Sequence, residues 1–203
     1  MKKPLLVLLA LVFVQFTTAQ MESSSSKRIS VGAKVGVPNI LSLNGEVVLP
    51  ILDNHFAPFI DYGAFDIEDG DNTEVGLKYT EFGLNYYFGS RGKGFYIGAG
   101  IAELSTDVTF NDLVFDDGTN SVVGSATTGL DISTTNLKLG LKTGGVFYLR
   151  IEAGYGLGSP PKTIDFTATS NGITESFSEP IPEIPGVNES GLLIGNIGFG
   201  FSF

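Results

Sequence analysis

Apolar and polar residues alternate with period two along most of this chain, and the alternation cuts it into short strands. From Ile29 to Val37, the residues Ile29, Val31, Ala33, Val35 and Val37 share one face, and Ser30, Gly32, Lys34 and Gly36 share the other. Pro38-Asn39 signals a turn. A second strand over about 41–49 sets Leu41, Leu43, Val47 and Leu49 against Glu46, and a third over about 57–65 sets Ile60, Tyr62 and Ala64 against Asp61 and Gly63. The fourth, about 78–88, opposes Thr80, Phe82, Leu84, Tyr86 and Phe88 to Tyr79, Glu81, Gly83, Asn85 and Tyr87. The fifth, about 95–102, opposes Phe95, Ile97, Ala99 and Ile101 to Tyr96, Gly98 and Gly100. Leu137, Leu139 and Leu141 face away from Asn136, Lys138, Gly140 and Lys142 in the sixth, about 134–142. The seventh, about 146–157, opposes Phe147, Leu149, Ile151, Ala153, Tyr155 and Leu157 to Tyr148, Arg150, Glu152, Gly154 and Gly156. The last, 191–203, places Leu193, Ile197, Phe199, Phe201 and Phe203 on one face and Asn196, Gly198, Gly200 and Ser202 on the other.

The polar face shows which side points inward. It is rich in glycine and carries single mid-strand charges of both signs, Lys34, Lys138, Lys142 and Arg150 against Glu46, Asp61, Glu81 and Glu152. Such a balance suits charges meeting across a narrow interior, where an unpaired ion would cost several kcal/mol. The apolar face then points outward. In water, a terminal strand with alternating phenylalanines is an aggregation hazard, whereas lipid covers that face and pairing of the first strand with the last removes the edge. The predicted fold is all-β, a closed antiparallel up-and-down transmembrane β-barrel of eight strands. A ten-strand version, in which a hairpin within 103–133 also crosses, stays open. So does a soluble lipocalin-like barrel built from the same strands with the apolar face inside. Tyr62, Tyr86, Phe88, Phe95, Phe147, Phe199, Phe201 and Phe203 are the candidates for aromatic girdles.

Composition agrees with one domain: 203 residues, 42% hydrophobic, 27 Gly and no Cys. Lys2 and Lys3, an apolar run from Leu5 to Phe16 and the small residues Thr17-Thr18-Ala19 predict a signal peptide over 1–19, cleaved after Ala19. That run is shorter than the roughly 20 residues a spanning helix needs. Residues 20–28 read as a disordered lead, and 29–203 as the barrel domain. The long connections 66–76, 103–133 and 158–190 hold about 16 of the 22 acidic residues and Lys162 as their one base. They are expected on the extracellular side, with the short turns around Asn54, Gly92 and Gly144 in the periplasm.

Reactive chemistry is sparse. His55 is the one histidine, expected in a periplasmic turn, and without cysteine no thiol nucleophile or thiolate metal site exists. No enzyme activity and no cofactor are expected. Asp66-Ile67-Glu68-Asp69-Gly70-Asp71-Asn72 gathers oxygen ligands around a glycine, and Asp116-Asp117-Gly118-Thr119-Asn120 does so less fully. Neither has the EF-hand spacing with its terminal Glu. Both therefore read as solvated acidic loops, with Asp66, Glu68, Asp69 and Asp71 as the metal candidates. Hairpins are predicted around 116–118 and around Ser170-Asn171-Gly172, and their free edges suit β-augmentation by a surface protein partner.

The terminal strand, with Ile197, Phe199, Phe201 and a final Phe203, resembles the C-terminal signal strand of bacterial outer-membrane barrels. The mature chain as a whole resembles small eight-stranded barrels of the OmpX, OmpW and OmpA-transmembrane-domain type, the outer membrane protein β-barrel domain family. That resemblance implies location in the bacterial outer membrane, contact with lipid and lipopolysaccharide, and assembly by the barrel-assembly machinery through the last strand. No nucleic-acid partner is expected. The role it implies is envelope-structural or surface recognition through the acidic loops. A narrow channel or OmpW-like lateral transporter of small solutes is the alternative, and a soluble exported lipocalin-like binder a further one.

Overall fold

The computed structural model describes residues 27–69, 72–89, 91–116, 121–170, 173–181 and 184–203. The signal peptide and most of the lead, as read from the sequence, lie outside the described residues. Eleven strands follow in order: β1 (Ile29–Val37), β2 (Ile40–Val47), β3 (Phe56–Asp69), β4 (Thr73–Tyr87), β5 (Gly94–Asp116), β6 (Ser121–Lys142), β7 (Phe147–Gly158), β8 (Thr163–Ser170), β9 (Ile173–Pro180), β10 (Val187–Asn188) and β11 (Gly191–Ser202). From β1 to β7 each strand pairs antiparallel with the next. β11 closes the ring, running Gly191↔Leu157 to Phe201↔Phe147 against β7 and Ser30↔Ser202 to Val37↔Gly195 against β1. The result is a closed barrel of eight antiparallel strands.

Its polarity is inside-out relative to a soluble barrel. Lys34, Glu46, Asp61, Glu81, Lys138, Lys142, Arg150 and Glu152 are all buried in the interior. Leu139, at 67% exposure, and Leu43, at 66%, typify the outer face. The lipocalin-like alternative required the opposite arrangement within the barrel, and the charge positions overturn it. Outward positions of β1, β2, β7 and β11 carry no charged residue. From Leu193 to Phe203 the last strand climbs about 33 Å, or about 25 Å along the axis at a tilt of ~40°, matching the apolar band of a membrane barrel. Toward the chain termini the band ends in an aromatic rim. Tyr86 packs edge-on against Phe56 and Phe88, Phe147 packs edge-on against Phe201, and His55 stacks on Tyr86. Tyr62, by contrast, sits higher on the wall, opposite Thr80 and Leu43.

One expected loop is strand instead. Of residues 66–76, read as an acidic loop, 66–69 and 73–76 form the end of the β3–β4 hairpin, paired from Asp66↔Gly76 to Asp69↔Thr73. The hairpin expected within the polar excursion over 103–133 has its two arms, 103–116 and 121–133, paired as the continuation of β5 and β6, which run 23 and 22 residues, against 9 and 8 for β1 and β2; its turn lies outside the described residues. Their extra length stays within the same two strands, so the ten-strand version is excluded. At about 3.3 Å per residue, β1 just spans the apolar band while β5 and β6 reach more than twice as far. The hairpin predicted around Ser170-Asn171-Gly172 is β8–β9, and β8 pairs with the upper part of β6, from Gly124↔Ser170 to Gly129↔Asp165.

Polarity reverses where the wall leaves the band. Along β5 the outward series Phe95, Ile97, Ala99, Ile101 gives way to Glu103, Ser105 and Asp107, while the inward series Tyr96, Gly98, Gly100 gives way to Leu104, Val108 and Phe110. β6 repeats this, with Leu137 and Leu139 outward giving way to Asp131, and Lys138 and Asn136 inward giving way to Ile132 and Leu130. β4 does so at Lys78 outward and Leu77 inward. Ile132, Leu192 and Ile194 are buried, with Leu104, Leu130 and Val187 packed on them, and form an apolar layer above the charged interior. Below the boundary the wall is built for lipid outside; above it, for water outside.

Candidate functional site

The barrel interior is one connected network of ion pairs. Lys34 Nζ lies 2.8 Å from Asp61 Oδ2 and 2.9 Å from Glu152 Oε2. Lys138 Nζ lies 2.9 Å from Glu81 Oε1 and 4.3 Å above the centroid of the Phe59 ring. Near the termini, Glu46 receives Lys142 Nζ at 2.6 Å and Arg150 Nη2 at 2.8 Å. Lys142 also donates to Ser30 Oγ at 2.7 Å, and that hydroxyl meets Ser202 Oγ of the closing strand at 3.0 Å. Arg150 Nη1 joins the two groups, donating to Asn44 Oδ1 at 3.2 Å, while Asn44 Nδ2 donates to Asp61. All eight charged positions singled out in the sequence thus come together.

Four cations face four carboxylates, and neutral donors add further bonds to three of the carboxylates. Tyr87 donates its hydroxyl to Glu46 at 2.9 Å, Tyr79 to Glu81 at 2.7 Å and Tyr96 to Glu152. Asn85 Nδ2 adds a bond of 2.7 Å to Glu46. Burying an ion is tolerable only with this degree of pairing and hydrogen bonding. The partners Tyr79, Tyr87, Tyr96, Asn44 and Asn85 carry no charge and so stand out less in the sequence than the eight ions. Their signal was position, since each shares the inward alternation with the charges. Glycine supplies the space: a Cβ on Gly140 would lie 2.2 Å from the Tyr96 ring, which occupies that gap and carries its hydroxyl to Glu152.

The remaining candidates disperse. His55 lies in the turn before β3, where Nδ1 donates to the Tyr87 carbonyl and the ring stacks on Tyr86. A carbonyl only accepts, so that nitrogen carries the proton and is occupied. Asp66 lies on β3, in register with Gly76 of β4; the side chains of Glu68 and Asp69, and all of Asp71, lie outside the described residues. Among the described residues no group of three or more His, Cys, Asp or Glu is placed to hold a metal ion. Ile197, Phe199, Phe201 and Phe203 line the outer face of β11 as a continuous exposed row.

Beyond the band stands an open sheet, ordered β3, β4, β5, β6, β8, β9. Its outer face is acidic and hydroxylated. A cavity of about 340 Å³ opens there around Gly129, between Asp107 and Asp165 on the adjacent strands, with Thr109, Thr127 and Thr167 beside them. The inner face is mainly apolar up to Phe166 of β8, which stacks at 5.3 Å on Phe177 of β9, where Glu175 and Glu179 flank the ring on the same face. Lys162, exposed like its partner, is held by Glu189 at 2.8 Å; this bond raises the lysine's pKa and lowers that of the carboxyl.

No protein-family model matches the chain, and no curated protein matches it. Among solved structures it is similar to CarO of Acinetobacter baumannii, at 13% identity and a TM-score of 0.46, covering 89% of this chain and 100% of that one. It is similar also to Acinetobacter baumannii CarO2, at 15% identity and a TM-score of 0.47, with the same coverage of 89% and 100%.

Proposed function

We propose that this chain is a non-enzymatic integral protein of the bacterial outer membrane whose work is done outside the bilayer, in surface recognition or envelope structure, by the acidic sheet of β3–β6, β8 and β9. The observation that carries the reading is the reversal of polarity at Glu103, Asp131 and Lys78. A wall apolar outside over about 25 Å and polar outside beyond it suits a barrel held in lipid with one end raised into water. The interior supports a closed plug over a conducting pore, because every cation in it is tied to a carboxylate and an eight-stranded barrel has room for little beyond side chains. Lipid and lipopolysaccharide are the partners of the outer band, and the row ending in Phe203 is the signal read by the barrel-assembly machinery.

Protease treatment of whole cells tests this. Cleavage is expected within the β8–β9 region, around 159–190, while the segments 29–47 and 191–203 stay protected. A chain lacking Phe203 should fail to reach the surface and yield no such surface-derived fragment. Complete protection of 159–190 on intact cells, with cleavage only after lysis, would refute a surface role.

A further inference from the structure

Among the described residues, β9 is the least covered of the long strands. Among the described residues it pairs with β8 alone, and from Thr174 to Pro180 it is exposed on both faces. A free edge presents a row of unpaired N–H and C=O groups, and proteins usually blunt such edges against unselective pairing with charged side chains, proline or a bulge. β9 ends in Pro180, but its inner face reads Glu175, Phe177, Glu179, in register with Ala168, Phe166 and Ile164 of β8. Phe177 stacks on Phe166 and remains 48% exposed. The other face carries Thr174, Ser176 and Ser178, which meet Thr169, Thr167 and Asp165 of β8. Lys162, the one base in this part of the chain, is taken by Glu189, so Glu175 and Glu179 face no cation among the described residues.

We propose that the free edge of β9 is a docking edge for an extended, cationic segment of a partner protein. The segment carries Lys or Arg at two positions four residues apart, opposite Glu175 and Glu179, and an apolar residue midway between them, over Phe177. Added as a strand, it satisfies the open backbone groups, covers the exposed part of Phe177 and extends the apolar inner face of the sheet by one strand. Small hydroxylated residues at its alternate positions continue the Thr-Ser face. A second copy of β9 is a poor occupant, because antiparallel pairing centred on Phe177 sets Glu175 against Glu179, and like charges directly opposite are destabilising. The inference rests on the surface role proposed above.

The test uses the full chain folded in detergent micelles and a fluorescent peptide with the core Lys-Thr-Val-Thr-Lys flanked by threonines. Two N-methylated versions carry methyl groups on alternate sets of amides, and a scrambled peptide keeps the composition. One N-methylated set is expected to abolish binding and the other to leave it unchanged, since alternate amides of a strand point to opposite edges. The E175Q/E179Q variant should bind the parent peptide about tenfold more weakly, the effect of losing two cross-strand charge pairs. F177A should also weaken it, and the scrambled peptide should bind the parent protein no better than E175Q/E179Q binds the parent peptide. Equal binding of both N-methylated sets would mean charge attraction without strand pairing and would overturn the proposal. So would absence of binding to protein whose gel migration shifts on boiling. In either case the surface reading stands or falls separately, on the protease experiment.

Discussion

Replacing Glu46 by leucine is expected to destabilise the folded barrel by about 3–5 kcal/mol, the range for removing one partner of a buried ion pair. Glu46 is the shared acceptor for Lys142 at 2.6 Å and Arg150 at 2.8 Å, with Tyr87 and Asn85 donating to the same carboxylate. Leucine leaves Lys142 with no carboxylate partner and Arg150 with only the more distant Glu152, at 3.7 Å. Denaturant unfolding of the purified barrel in micelles measures the loss. Replacing Lys142 and Arg150 by methionine in the Glu46→Leu background should recover much of it, since a packed apolar cluster of similar volume often matches a buried ion cluster. A single variant within about 1 kcal/mol of the parent would mean that water, rather than Glu46, solvates those cations.

The second large effect is on the outer wall. Leu137 and Ser133 point outward from the same strand, four residues apart, on either side of the polarity boundary. Leu137→Arg should cost about 2–4 kcal/mol and Ser133→Arg about 0–1, the depth dependence of a cation on the lipid face of a barrel. Ser133 is in register with Glu103, so an arginine there also gains an opposite charge. Measured by unfolding from lipid vesicles, equal costs at the two positions would place both in the same solvent and remove the bilayer boundary from between them.

These two sites also mark what could be read in the chain before folding. The barrel strands and the sides their residues take follow from period-two alternation, as Lys34 between Ala33 and Val35 shows. The interior charges follow from the same alternation, because a polar position in a narrow lumen has no other place to point. The hairpin around 116–118 follows as well, but not that its arms are β5 and β6 continued without a break. Beyond Ala102 the alternation continues in phase, but its meaning exchanges: Leu104, Val108 and Phe110 take the inward positions that Tyr96, Gly98 and Gly100 hold below, and Glu103 and Asp107 take the outward ones. The outward positions from Glu103 to Thr109 hold only acids and hydroxyls, so the hairpin reads as separate from the lipid-facing strands. The same exchange hid the end of the β3–β4 hairpin, where Phe65 and Leu77 face inward while Asp66 and Lys78 face out. The tyrosines of the network were placed on the correct face but not recognised as donors, since sequence gives their side of the sheet and not the reach of their hydroxyls across it.

Heat-modifiability of the protein in cell fractions tests the central claim most directly: that a closed barrel with a charged interior sits in the outer membrane. Samples of membrane and soluble periplasm are run on a denaturing gel with and without boiling. Recovery in the outer membrane, with a compact band that shifts on boiling, is the predicted result, because only a closed barrel resists the detergent at room temperature. Recovery in the soluble fraction, with the same migration before and after boiling, would contradict it.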